Sequence, residues 1–255
     1  MSDDSPPPIL YKYQSFNREY LKPVLEDSRV WFGRPLLFND PFDCFPILDM
    51  RHTAAQVREM RNKVVRRRMP GSSRAQRRRA YQDLVKVGRA RFTDEDGKTS
   101  WRGALETLRV LSLTQLPNHL LMWGHYADRH RGICLGFSTE HAPFASARKV
   151  DYKEERPVFR AFERGREALH QMLGTALSTK APHWEYEQEW RVISLEALSP
   201  GRFEPAALKE VIVGAQTTSE DFEWLLTTVR GRNPPVQLKR SRLSAKRYEL
   251  ELIDL

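Results

Sequence analysis

Cysteine is nearly missing from this 255-residue chain, and long apolar runs are missing altogether. Cys44 and Cys134 are too few for a disulfide framework or a Cys-rich zinc site. Each lies in an apolar stretch, DPFDCFPIL and GICLGF, so each reads as a buried small hydrophobe with a reduced thiol. No run approaches the ~20 apolar residues that a bilayer-spanning helix needs. The first residues, MSDDSPPPIL, are acidic and Pro-rich, unlike a signal peptide or a basic transit peptide. A cytoplasmic protein with no membrane segment is expected. Glycine-rich phosphate loops are absent too, which argues against a Rossmann dinucleotide site. There is no internal repeat, and only the Pro-rich start is of low complexity. What remains is ample core material. With 40% hydrophobic residues, 6 Trp, 12 Phe and 8 Tyr, the chain is neither disordered nor fibrous.

Charge of one sign is concentrated. Between Arg51 and Arg91 there are fourteen Lys/Arg and two acids, Glu59 and Asp83. That surplus of twelve exceeds the whole-chain net charge of +9, so the rest of the chain is slightly acidic. Arginine dominates the block, and guanidinium grips phosphate bidentately. TAAQVREMRNKVVRRR reads as a helix started by Thr53, with Val57, Met60, Val64 and Val65 at helical spacing. A break at Met69–Ser73 precedes a second helix with Ala75, Tyr81, Leu84 and Val85 as a thin apolar stripe. Residues 52–92 are thus expected to form a basic helical hairpin inserted in a single domain of 1–255. Its arginines, notably Arg66, Arg67, Arg68, Arg77, Arg78 and Arg79, read either as a solvated face or as a landing site for nucleic acid or another polyanion.

Elsewhere strands and helices intermingle without a βαβ rhythm. Strands are expected over Ile9–Phe16, Ser28–Phe38, Arg109–Thr114, Gly132–Phe137, Ala147–Tyr152, Trp190–Leu195 and Leu208–Gly214, with closing strands at Val236–Lys239 and Tyr248–Ile253. YELELI alternates strictly, as an antiparallel strand with one wet face does. Helices are expected over Glu19–Asp27, His119–Tyr126, Val158–Thr179 and Thr218–Thr228, the last led by a capping signature. The class is α+β, with a mixed, mostly antiparallel sheet.

Four islands carry chemistry. In Leu10-Tyr11-Lys12-Tyr13 a cation sits between two phenols, which suits a ligand but also an edge strand. Asn39-Asp40-Pro41-Phe42-Asp43 is a rigid turn whose two carboxylates either hold the loop or bind a metal. Met122 to Gly132 holds His125, Asp128 and His130 at a spacing a metal could use, but Arg129 and Arg131 oppose a cation there. Trp123 and Tyr126 offer ring faces. In His183 to Arg191, a strand would put Glu187 and Glu189 on one face. Two adjacent carboxylates repel, which raises one pKa. Stability does not call for that arrangement, so the pair is a catalytic candidate, with Arg191 as the counter-charge in the structural alternative.

The islands together resemble bacterial domain-of-unknown-function family 2971: an L-Y-K-Y start, an F-N-D-P-F-D turn, an M-W-x-x-Y-A-x-x-H-x-G-x-C-x-G-F centre, a W-x-Y-E-x-E-W-R element and a V-I-V-G ending. The Arg-rich stretch lies outside that pattern. A weaker likeness is to ADP-ribosyltransferases, including DNA-modifying toxins. Those place His or Arg on an early strand, Tyr or Ser on a central strand and the catalytic Glu on a late strand. Here Lys12 stands in the first slot, Trp123–Tyr126 in or near the second, and Glu187-Gln188-Glu189 in the third. The likeness implies NAD as substrate and no metal. Glu189 would stabilise an oxocarbenium-like state, and Glu187 would orient or deprotonate the acceptor. Lys12 would hold a ribose or phosphate oxygen, and Tyr13, Trp123 or Tyr126 would stack on nicotinamide. It also implies a toxin or anti-phage role, with an antitoxin or immunity partner. Two other readings stay open. One is a metal-dependent nuclease using Asp40 or Asp43 with Glu187 and Glu189, although the chain has E-x-E where nucleases have E-x-K. The other is a non-catalytic nucleic-acid-binding module.

Overall fold

The computed structural model describes residues 5–87, 93–162, 166–194 and 200–255. In chain order the elements are β1 (Ile9–Gln14), α1 (Arg18–Leu25), β2 (Arg29–Val30), β3 (Ile47–Asp49), α2 (Ala54–Arg68), α3 (Arg74–Val87), α4 (Asp94–Thr107), β4 (Arg109–Thr114), α5 (Leu120–Tyr126), β5 (Ile133–Ser138), β6 (Arg148–Lys149), β7 (Asp151–Tyr152), β8 (Val158–Arg160), α6 (Arg166–Leu177), β9 (Thr179–Lys180), β10 (Glu189–Ser194), β11 (Gly201–Arg202), β12 (Leu208–Val213), α7 (Ser219–Arg230), β13 (Gln237–Leu243) and β14 (Leu250–Asp254). They divide into two compact units. One comprises Met1–Cys44, Leu105–Glu155 and Ser178–Leu255; the other comprises Phe45–Ala104 and Arg156–Leu177.

The first unit is organised by an eight-stranded sheet in the order β14-β13-β12-β5-β1-β4-β10-β6. Every neighbouring pair is antiparallel except β12 and β13, so the sheet is mixed and mostly antiparallel. β5 explains its own composition: all six residues are buried, because both faces of this strand are covered. Leu135 and Phe137 pack with Leu10, Leu111 and Leu113, and with Leu21, Val24 and Leu25 of α1. On the other face Cys134 joins Tyr13, Met122, Trp123, Ile212 and Leu250. Asn17 starts α1 by accepting the amide hydrogens of Glu19 and Tyr20, and Thr218 starts α7 by accepting that of Asp221.

Two expected elements are shorter than their apolar pattern implies. Of Ser28–Phe38, only Arg29–Val30 is strand; Gly33 then bridges to Val110, and Pro35–Leu37 is a 3-10 turn. Pro35 has no N–H to continue a ladder. Of the expected Val158–Thr179 helix, Arg166–Leu177 is helical and residues 163–165 lie outside the described residues. Val158–Arg160 pairs in parallel with β3, since the β-branched and aromatic residues after Pro157 favour extended backbone.

The second unit carries α2, α3 and α6, most of α4, and the β3–β8 pair. Thr53 and Gln56 form a reciprocal capping box at the start of α2. Ser73 and Gln76 do the same for α3, with Ser73 N–H donating to Gln76 at 2.8 Å. Val57 and Val65 are buried, whereas Val85 is exposed. Arg89 and Arg91 lie outside the described residues. Among the described residues no helix is long and apolar enough to cross a membrane.

Candidate functional site

A cavity of about 210 Å³ lies in the first unit. Tyr11, Lys12 and Tyr13 of β1, Ser112 and Thr114 of β4, and Glu189 at the start of β10 line it. These three strands are neighbours, with β4 in the middle. Tyr11 pairs with Thr114, and Thr114 with Glu189, so one row crosses all three strands on one face of the sheet. The loop from Phe38 to Asp43 and the residues Tyr126, Lys180 and Glu187 complete the lining.

Buried charge dominates the floor. Arg191 is fully buried and grips two carboxylates. Its guanidinium donates to Glu189 at 2.7 and 2.9 Å, and to Asp43 at 2.8 and 2.7 Å. Lys180 donates to Glu187 at 2.5 Å and to Glu189 at 3.0 Å, and lies 3.9 Å from Asp43. The Tyr126 hydroxyl donates to the other Glu187 oxygen at 2.6 Å.

The two glutamates are driven apart in acidity. Burial opposes ionisation of both. For Glu189, Arg191 and Lys180 outweigh burial and hold the carboxyl at about 2. For Glu187, burial, reinforced by the negative Glu189, prevails over the attraction and hydrogen bond of Lys180 and the hydrogen bond from Tyr126, and the carboxyl is raised. Lys180 is itself raised, against its own burial, because it is shared among Glu189, Glu187 and Asp43. Lys12 differs. Burial pushes it down to about 8, partly offset by Glu189, and no ion pair or hydrogen bond holds it among the described contacts.

The glutamates do not converge in the expected way. Glu187 ends a 3-10 helix over Pro182–Glu187, and only Glu189 is in a strand. Between them Gln188 is left-handed, with φ 43°, and this reversal turns both carboxylates toward Lys180. Such backbone costs a non-glycine residue about 1–3 kcal/mol and persists only when surrounded by firm contacts. Here Thr114 Oγ1 donates to the Glu187 carbonyl at 2.6 Å, and Glu189 N–H donates to the Tyr152 hydroxyl at 2.8 Å. The side chains of Gln115 and Gln188 are also hydrogen-bonded.

Among the aromatic candidates, only Tyr126 presents a partly exposed ring to the cavity with its hydroxyl on a site carboxylate. Trp123, expected to stack on a ligand, is fully buried, donates its N–H to the Pro117 carbonyl at 3.0 Å, and packs between Tyr13 and His130. An indole wedged between two rings in the core has no free face. Tyr13 lines the cavity, but its hydroxyl is committed to the Leu116 carbonyl at 2.7 Å. His125, Asp128 and His130 do not come together: Asp128 pairs with Arg131, and His130 stacks on Trp123. Asp128, Arg129 and His130 are all left-handed, a turn that brings the His130 carbonyl onto the backbone of Gly214, where a β-carbon would strike it.

Asp40 and Asp43 hold their loop in different ways. Asp40 accepts the Phe42 amide hydrogen at 2.8 Å, and Asp43 is the second partner of Arg191. Cys44 and Cys134 are buried and form no disulfide, and the Cys44 thiol lies 3.4 Å from both Asp43 and Arg191. Lys180, Ser112 and Thr114 were not singled out from sequence. The one cue for Lys180 was a cation just ahead of two closely spaced glutamates.

The six candidate arginines belong to α2 and α3 of the second unit. Arg66, Arg77 and Arg78 line a crevice between these helices, joined by Arg74; Arg67, Arg68 and Arg79 are exposed outside it.

Fold and site therefore define a mixed α/β protein whose mostly antiparallel sheet carries a cavity floored by buried ion pairs. Residues 122–192 match the model of the family described as Protein of unknown function (DUF2971), the family that the sequence motifs resemble. The match runs from α5 to β10, and so contains Tyr126, Lys180, Glu187, Glu189 and Arg191. It includes neither β1 nor the two arginine-rich helices. No curated protein and no solved structure matches the chain.

Proposed function

We propose that the cavity binds the nicotinamide-ribose end of NAD and that the protein transfers ADP-ribose to a nucleophile on nucleic acid or protein. The observation that carries this reading is the carboxylate pair: two glutamates in one cavity with opposite acidities. Environments that split two titratable groups in this way divide the work between a fixed charge and a proton acceptor. Glu189 stays negative and stabilises positive charge developing at the ribose C1′. The bond from C1′ to the nicotinamide nitrogen breaks, and nicotinamide leaves with the electron pair. The acceptor then bonds to C1′, and its proton passes to Glu187, whose raised pKa suits a base. Lys12 takes a phosphate or ribose oxygen, and Tyr126 forms the wall beside nicotinamide.

The strand arrangement is further support. Lys12, Ser112 with Thr114, and Glu189 stand on β1, β4 and β10, early, central and late strands that lie side by side. In this reading β4 supplies the central slot, since Trp123 is committed to the core. The nuclease alternative is less well supported. Asp43, Glu187 and Glu189 are bonded to Arg191 or Lys180, cations that occupy the position a metal ion would need.

The test is release of nicotinamide and transfer of label from radiolabelled NAD, in wild type, Glu187→Gln and Lys12→Met. Glu187→Gln keeps the contacts to Tyr126 and Lys180 in shape but cannot accept a proton, and is expected to lose about 10²–10⁴-fold in rate. Wild type that neither binds nor cleaves NAD with any nucleic acid or protein acceptor refutes the proposal.

A further inference from the structure

The crevice between α2 and α3 is a separate feature in a separate unit, and it does not depend on the NAD reading. It measures about 290 Å³, and Arg66, Arg74, Arg77, Arg78 and Tyr81 line it with no acidic side chain among the lining residues. Four arginines share one small volume, and among the described residues none of them forms an ion pair with a carboxylate. Helix energetics does not account for them. Arg66 sits in the last turn of α2, where a cation complements the macrodipole, but Arg74, Arg77 and Arg78 occupy the first turns of α3, where a cation opposes it. Among the described contacts Arg77 alone has a local duty, donating to the Ser72 carbonyl at 2.7 and 3.0 Å across the break between the helices. The nearby Glu59 is taken by Lys63 at 3.3 Å. The crevice therefore presents four arginines and a tyrosine as a concentrated positive lining, open to an anion.

Tyr81 adds a selective element. Its ring is half-buried in the same crevice, so a ligand held by the guanidiniums meets a π face. Planar, delocalised guanidinium suits phosphate oxygens better than scattered carboxylates, and an unpaired base stacks on tyrosine. A paired base inside a duplex cannot.

We infer that the α2–α3 crevice binds single-stranded nucleic acid, with the guanidiniums of Arg66, Arg74 and Arg78 on consecutive phosphates and one base stacked on Tyr81. Arg77 contributes charge while holding the helix break.

The experiment is fluorescence anisotropy of the full chain with labelled oligo(dT) and oligo(U) of about 20 nucleotides, over a salt series. Counting the charge of Arg77 with the three phosphate contacts, four cations neutralising a single strand give a slope of log K against log salt near −3, so binding weakens about 50-fold between 50 and 200 mM salt. The triple variant R66Q/R74Q/R78Q is expected to flatten the slope to about −1, with a loss of only about threefold over that range. The charge-matched triple R67Q/R68Q/R79Q, whose side chains lie outside the crevice, is expected to keep a slope steeper than about −2. Tyr81→Leu should weaken binding about fivefold or more at unchanged slope, as loss of one stacked base does. Comparison of the two oligonucleotides separates DNA from RNA as the source of the strand. Equal losses in the two triple variants would mean bulk charge and overturn the site. Equal affinity for a duplex of the same length would overturn base stacking and with it the proposal. Competition at equal charge by polyglutamate, or by vesicles of anionic lipid, would assign the surface to a different partner.

Discussion

Replacing Lys12 by methionine separates stability from binding more cleanly than any other change in this cavity. Among the described residues Lys12 has no ion pair to lose; burial is the main influence on its charge, partly offset by attraction to Glu189. A fall from 10.5 to about 8 corresponds to about 3 kcal/mol against the folded, protonated form. Part of the side chain remains open to the cavity, so solvent screening makes this a ceiling, and about 1–3 kcal/mol is the working range. The sign follows from proton counting. Below about pH 8 both folded and unfolded states hold the proton, and the full penalty is present. Between about 8 and 10.5 the unfolded chain holds it and the folded one does not, so stability attributable to Lys12 rises with pH. Methionine is flexible, apolar and of similar length, and it removes the penalty at every pH. K12M is therefore expected to be more stable than wild type at pH 7, by about 2–4 °C in Tm per kcal/mol. The difference should shrink as pH approaches 10. Chemical denaturation of both proteins across that interval is the assay. Lower stability of K12M at pH 7, or a difference independent of pH, would refute the picture of a desolvated, unpaired ammonium. If the NAD proposal holds, the same variant loses NAD affinity while gaining stability.

Other outcomes follow from the ion-pair floor. Arg191→Met leaves Asp43 and Glu189 buried with one guanidinium fewer, and should cost about 3–5 kcal/mol in thermal unfolding. Glu189, held at about 2 against an ordinary 4.5, contributes stability that is complete above about pH 4.5 and lost as pH falls toward 2. Acid titration of Glu189→Gln should therefore show a shallower loss over that interval than wild type. Burial raises both thiols, Cys44 and Cys134, so neither should react with a thiol reagent at neutral pH until denaturant is added. Rapid labelling of either in the native protein would contradict their packing.

Much of the fold was readable because its signals are local. The apolar run Gly132–Phe137 announced a strand, and its last five residues lie in the wholly buried β5; YELELI announced an antiparallel strand. Thr53 and Thr218 marked helix starts through side chains that reach only three residues ahead. Two local signals misled. The apolar content of Ser28–Phe38 resembled a strand, but Pro35 and the Gly33 bridge left only two strand residues. The apolar face of Val158–Thr179 resembled one long helix, but Val158–Arg160 found a ladder partner in Ile47–Asp49, more than 100 positions away. Trp123 shows the same limit at a side chain. Its identity suited ligand stacking, but its neighbours Tyr13 and His130 decided that it is core.

Taken alone, the sequence determined the charge block, the antiparallel character of the sheet, the burial of both thiols and the close spacing of Glu187 and Glu189. All of these depend on residue type and short-range spacing. Tertiary structure alone decided what those glutamates are. Asp43, Tyr126, Lys180 and Arg191 come from four separate segments, and their distances set which carboxylate is held ionised and which is raised. Coulomb attraction and desolvation act through space, so two glutamates one residue apart acquire opposite acidities that no pattern along the chain can record.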